Sequence, residues 1–255
     1  MNFLLCGKAD AKPVLLIHGM AMTAENCYGK TARTLAKKYR VILACLDGHD
    51  PRTGSVFDSI DKCCEQIERY VNKRFGGKVY AVSGFSLGGT VALALMQRGK
   101  IKAEKLHLDG ALCTSLGIIK IPCKLMMTKG VGYMQKGHKL PHILLDKVFG
   151  QDSKGLSEQL YTFVEPETVE KACDAFYGFK PKAALKSCTS DVQFWCGSIE
   201  TYQKKSARKL EEYLPEMRVR VFKDLGHGQM LREHSRAYIR ELKGFLADKQ
   251  SGLTK

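Results

Sequence analysis

The stretch Val79 to Met96, VYAVSGFSLGGTVALALM, runs from an apolar segment into a strongly helical apolar segment through Gly84-Phe85-Ser86-Leu87-Gly88-Gly89. A G-x-S-x-G sequence is weak by itself, because glycine and serine are common. Its context is specific: a strand on one side and a helix on the other. In such a strand-turn-helix the serine takes a strained backbone conformation and projects its hydroxyl. Gly84 and Gly88 fall where strand and helix converge and side chains would clash. The helix N-terminus beneath Ser86 favours developing negative charge. The plainer alternative is a glycine-rich turn that only caps a helix. A phosphate cradle is disfavoured, since neither G-x-x-x-x-G-K-[ST] nor G-x-G-x-x-G occurs.

The rest of the chain alternates in the same way. PVLLIHG, RVILACLDG, KVYAVSG and KLHLDGALC read as buried parallel strands. Between them, Thr23 to Tyr39 reads as a helix. Ser55 to Phe75 is helical too, with Phe57, Ile60, Cys64, Ile67 and Val71 at spacings of three and four. Ser55 or Asp58 is expected to cap it, and Gly76-Gly77 to end it; Gly99 stops the helix after Ser86. Strands alternating with helices imply right-handed βαβ units and a parallel sheet. From Leu116 to about Ser190 the alternation lapses. This span, 116–190, reads as a helical insertion within a single domain over 1–255, with a short helix opened by Pro166. Alternation resumes with VQFWCGS, a helix, MRVRVFKDLG and one closing helix from Met230 to Lys249.

With 255 residues, 44% apolar and 26% charged, the chain has room for a real core and an ordinary globular composition. No apolar run is long enough to span a bilayer, and the N-terminus lacks a signal-peptide core, so a cytoplasmic location is expected. Ten scattered cysteines without C-x-x-C or metal-ligand spacing read as reduced, mostly buried thiols. The net charge of +15 favours anionic partners such as nucleic acid, acidic lipid or phosphorylated substrates. The basic residues are dispersed and form no nucleic-acid motif. Lys204, Lys205, Arg208 and Lys209 read most simply as the wet face of a helix.

A serine hydroxyl is a poor nucleophile without a base. His227, in KDLGHGQM, follows the last strand in a loop and is the leading candidate. His107 lies inside a strand, His234 on the closing helix, and His138 and His142 in the insertion. His49 sits near the same sheet edge. His18 is expected to orient the first loop. The base needs an acid to hold its tautomer. Glu200, just past the strand VQFWC and ahead of a helix, is the first choice, and Asp109 in HLDGALC is the competing one. Asp191 begins a strand and points to the wrong edge; Asp224 shapes a turn. Backbone N–H groups of Leu87 and of Met20, in HGMAM, are the expected oxyanion donors, with Ala21 next.

Together, the strand-HG-loop, the GFSLGG elbow, a later acid and the late GHG histidine resemble the α/β-hydrolase family. The order Ser86, Glu200, His227 agrees with that family's nucleophile-acid-histidine order. The resemblance implies a mostly parallel, doubly wound sheet of about six to eight strands with a helical lid insertion over the pocket. It also implies a serine hydrolase acting on a small acyl substrate, a carboxylic ester or thioester, without metal or organic cofactor. Acyl transfer, peptide hydrolysis or C–C hydrolysis would use the same elbow, and a non-catalytic binding protein would keep only the scaffold. The acid is Glu where the family more often has Asp. The chain ahead of PVLLIHG is short, so the family's first two antiparallel strands are expected to be truncated or absent. Met126, Met127, Tyr133 and Met134 are expected to cover the pocket, as pliant apolar side chains suit an acyl site.

Overall fold

The strands are β1 (Asn2–Cys6), β2 (Pro13–Ile17), β3 (Arg40–Cys45), β4 (Lys78–Phe85), β5 (Lys102–Asp109), β6 (Asp191–Gly197) and β7 (Arg218–Phe222). The helices are α1 (Ala24–Leu35), α2 (Ile60–Phe75), α3 (Leu87–Arg98), α4 (Lys120–Gln135), α5 (Pro166–Gly178), α6 (Thr201–Glu211), α7 (Gln229–Arg232) and α8 (Ser235–Ala247). This computed structural model describes residues 1–138, 149, 160 and 164–248. Residues 139–148, 150–159 and 161–163 of the expected insertion, His142 included, lie outside the described residues, as do 249–255.

The strands form one sheet in the order β1-β3-β2-β4-β5-β6-β7. All neighbours are parallel except β1, which pairs antiparallel with β3. This is the doubly wound, mostly parallel sheet expected from the alternation, and its seven strands fall within the six to eight that the resemblance implies. The expectation for the N-terminus needs correction: one antiparallel strand is present there. Asn2 to Cys6 carries an edge strand whose residues are exposed or half-buried, so no continuous apolar run announces it.

Side chains alternate between two cores, one on each face of the sheet. Leu15, Ile17, Ile42, Ala44 and Val82 face α2, α3 and α6. Val14, Leu16, Val41, Leu43 and Ala81 face α1 and α8. Local signals set most helix ends. Thr23 Oγ1 accepts from Asn26 N at 3.0 Å and caps α1. Ser59, not Ser55 or Asp58, caps α2, accepting from Lys62 N at 3.1 Å. Phe57 therefore precedes the helix, although its side chain is still buried. Gly76 and Gly99 close α2 and α3, and Pro166 opens α5. The expected single closing helix is two, broken at Glu233-His234, where His234 caps α8. At the far end of the sheet, Lys105 Nζ donates to Asp191 at 2.8 Å and Arg218 joins the same carboxylate. Asp191 is thus a structural ion-pair partner at the edge opposite Ser86.

Between β5 and β6, α4 and α5 pack together over the sheet edge, joined by Lys124 to Asp174 at 2.6 Å and to Glu170 at 2.8 Å. A third small core forms there from Ala21, Val131, Val164, Val169 and Cys173.

The tightest constraint is at α3. A Cβ on Gly88 would lie 2.0 Å from the Ile17 carbonyl oxygen, and one on Gly84 2.2 Å from the Gly88 carbonyl oxygen. Gly88→Ala should therefore push α3 off β2 and cost about 2 kcal/mol or more of stability. Urea unfolding reads this directly; an unchanged midpoint would show that the two backbones are not in such close contact.

Candidate active site

Ser86 stands between β4 and α3 with φ 53° and ψ −117°, a left-handed conformation that a non-glycine residue holds only under constraint. Its N–H donates to the Asp109 carbonyl at 2.7 Å, and its own carbonyl accepts from Thr90 N at 3.1 Å. The elbow is thus tied to the end of β5 and to the first turn of α3. Its hydroxyl meets His227 Nε2 at 2.9 Å.

His227 lies in the loop after β7. Its Nδ1 is 2.6 Å from Glu200 Oε1. Glu200 is the residue just before α6, and its Oε2 accepts from Gly197 N at 2.5 Å. The carboxylate can only accept when ionised, so Nδ1 carries the proton and Nε2 is left to accept from Ser86. Both Glu200 and the imidazole are largely buried. Ser86, His227 and Glu200, separated by 141 and 27 residues in sequence, form one hydrogen-bonded row.

The competing acid is not in that row. Asp109 is buried at the end of β5, and its Oδ2 has no hydrogen-bond partner among the described residues. Burial first, and then the nearby Glu200 carboxylate, push its carboxyl well above the usual carboxylate range. A neutral acid has no charge to offer an imidazolium.

The first loop comes close to the nucleophile: a Cβ on Gly19 would lie 3.4 Å from Ser86 Cβ. Met20 lines the cavity, and Ala21 is buried at φ 53°. His18 holds this loop as the sequence suggested. Its Nδ1 donates to the Gly19 carbonyl at 2.8 Å and its Nε2 accepts from Leu46 N at 3.0 Å. Burial, with His49 alongside, pushes its pKa down to about 3, so it is a neutral strut between the ends of β2 and β3. His107 is likewise buried within β5, bonded to Ser83 at 2.8 Å. Asp224 takes φ 58° in the turn after β7, with its N–H on Ser198 Oγ at 2.9 Å. Leu87 is the first residue of α3, where helix N–H groups lack intrahelical partners.

Beside the row lies a cavity of about 350 Å³. Its wall is mostly apolar: Met22, Leu112 and Leu116 on the sheet side, Ile119 just before α4, Cys123, Met126 and Met127 from α4, and Phe176 and Tyr177 from α5. Two of the four expected covering residues are elsewhere. Tyr133 is half exposed and stacks on His138, and Met134 packs into the small core by Val131. They sit too far along α4 to reach the cavity.

Three contributors had no clear signature in the sequence. Phe85, the variable residue of the elbow motif, stacks on the His227 ring at 5.1 Å. Arg232 donates from Nη1 to the His227 carbonyl at 2.7 Å and from Nη2 to the Phe149 carbonyl at 3.1 Å, with its side chain only 3% exposed. Gln203 Nε2 approaches His227 Nδ1 at 3.5 Å.

Residues 12–176 match the family described as the alpha/beta hydrolase fold. The chain belongs to that family. Among solved structures, it is similar to an alpha/beta hydrolase family protein from Desulfitobacterium hafniense, at 23% identity and TM-score 0.86, over 96% of this chain and 100% of that one. It is also similar to an enol-lactonase from Burkholderia xenovorans, at 15% identity and TM-score 0.77, over 97% and 96% of the two chains. An esterase from Thermogutta terrifontis gives 17% identity and TM-score 0.74, over 97% and 94%. No curated protein sequence matches the chain. No helix of the described residues is long and apolar enough to cross a membrane, and no metal-ligating cluster occurs among them.

The folded chain keeps Asp109 protonated where the unfolded chain has already lost that proton. Stability should therefore fall as pH rises above the ordinary carboxylate range. Asp109→Asn should lose less stability than the native chain between pH 5 and pH 8. Thermal unfolding of both proteins across these pH values checks this; parallel curves would place a charged carboxylate at Asp109.

Proposed function

We propose that this family member is a serine hydrolase that cleaves a carboxylic ester or thioester through an acyl-enzyme. The observation that carries this reading is the row Ser86–His227–Glu200, which opens onto a mostly apolar cavity. Ser86 Oγ attacks the acyl carbon while His227 Nε2 takes its proton. Glu200 fixes the imidazole tautomer and stabilises the imidazolium that forms. The tetrahedral oxyanion is held by the N–H groups of Leu87 and Met20, and the positive end of α3 adds to this. Collapse expels an alcohol or thiol, protonated by His227. A water molecule, deprotonated by the same nitrogen, then releases the acid and restores Ser86.

The family's esterase and lactonase neighbours support a hydrolytic reaction at a carbonyl carbon. The acyl group lies against Met126, Met127 and Phe176, so α4 and α5, within the insertion spanning 116–190, act as the lid of a single domain. Methionine suits such a wall because its side chain adapts to several acyl shapes. Phe85 and Arg232 position His227, one at the ring and the other at its carbonyl.

Labelling with a fluorophosphonate probe tests the nucleophile. The native chain should label and hydrolyse short acyl esters, while Ser86→Ala should do neither and unfold at nearly the native temperature. Glu200→Gln should lower kcat by a factor on the order of 10³ or more, because Gln can present its amide instead of an acceptor to Nδ1. Full hydrolysis by Ser86→Ala would sink the mechanism, and full activity of Glu200→Gln would remove the acid from it.

A further inference from the structure

The helix α4 is apolar on two faces, and only one of them is explained. Ile119, Cys123, Met126 and Met127 line the cavity. A second side, Lys120 and Lys124, is paired with Glu170 and Asp174 of α5. The third faces solvent: Ile118, just before the helix, is 95% exposed, Ile121 70%, Leu125 45% and Tyr133 47%. With exposed Lys129, these residues recur at three- and four-residue spacing and form one continuous stripe. A helix apolar around most of its circumference is ordinarily buried. Contiguous exposed aliphatic side chains mark an interaction surface.

Charge identifies the occupant. Between Gly117 and His138 the chain has four lysines and no acidic residue. The lysines at 120 and 124 are neutralised by α5, whereas Lys129 lies within the stripe and Lys136 just beyond it, and neither is in an ion pair among the described residues. A second copy would bring together two like-charged chains, each with a net charge of +15, across stripes that carry lysine and no carboxylate. An anionic lipid surface satisfies both requirements, taking aliphatic side chains at its acyl boundary and lysines at its phosphates. Across the cavity, Tyr202 of α6 lines the opposite wall, with the Lys205 ammonium 5.1 Å from its ring, so the basic face of α6 begins beside the same pocket.

We infer that the outer stripe of α4, Ile118, Ile121 and Leu125 with Lys129, docks the protein on anionic membrane surfaces. If the proposed acyl-enzyme chemistry also holds, the docked helix is itself the pocket wall, and an acyl chain leaving the lipid reaches Ser86 after passing one helix. Docking does not need that chemistry, so binding and hydrolysis are measured separately.

The experiment is sedimentation of the full chain with vesicles of mixed phosphatidylcholine and phosphatidylglycerol, and with phosphatidylcholine alone. The native chain and Ser86→Ala should bind the mixed vesicles equally and the neutral ones far less. The triple variant Ile118→Ser/Ile121→Ser/Leu125→Ser should bind at least about tenfold more weakly. It should keep its unfolding temperature and its rate on a water-soluble ester. Lys129→Glu should weaken binding and reduce its salt dependence. Absence of vesicle binding by the native chain overturns the inference, as does a triple variant that binds like the native protein. A native dimer that the triple variant dissociates, without vesicle binding, would assign the stripe to a second copy instead.

Discussion

Ser86 is held in a backbone conformation that costs on the order of 1–3 kcal/mol, and much of the surrounding structure restrains it. The Asp109 carbonyl takes its N–H, Thr90 takes its carbonyl, and α3 starts immediately below it. That arrangement is possible only because β2, β4 and α3 approach at backbone distance around Gly84 and Gly88. The compact convergence places a helix N-terminus directly under a projecting hydroxyl. Other parts of the site are then positioned relative to this point: the Gly19 turn on one side, the end of β5 on another, and the loop after β7 above.

The histidine is restrained with similar redundancy. Glu200 fixes one ring nitrogen, Phe85 stacks against the ring, and Arg232 holds the carbonyl. These three come from the residue just before α6, the end of β4 and α7, so the imidazole is held from three separate elements. Glu200 is itself anchored by the Gly197 N–H at the end of β6. Asp109, only one strand away, is left as a buried acid whose environment disfavours charge. Two carboxyls of similar sequence promise thus have opposite electrostatic roles, and the difference is the partner each one meets.

The segment between β5 and β6 shows how one helix serves more than one environment. Pocket, partner helix and solvent each take a side of α4, and its lysines are divided between ion pairs and open surface. Its mean pattern is consequently unlike that of α2, whose single apolar stripe Ile60, Cys64, Ile67 and Val71 was legible from spacing alone. Tyr133 and Met134 were misjudged for this reason: composition marked the segment as apolar but not which side any residue takes.

The sequence by itself determined the parallel α/β architecture, because buried strands and amphipathic helices have different periods and alternate along the chain. It also determined the elbow, because only glycine fits where backbones touch, and it offered His227 after the last strand with Glu200 and Asp109 as competing carboxyls. Only the tertiary structure shows that the imidazole meets Glu200 and not Asp109, since that depends on a 2.6 Å contact and on burial. It alone revealed β1, whose residues make an edge strand only because β3 offers a free antiparallel partner. It also brought in Phe85, Gln203 and Arg232, whose contributions are contacts across the fold. Periodicity reports which residues are buried; it does not report what they are buried against.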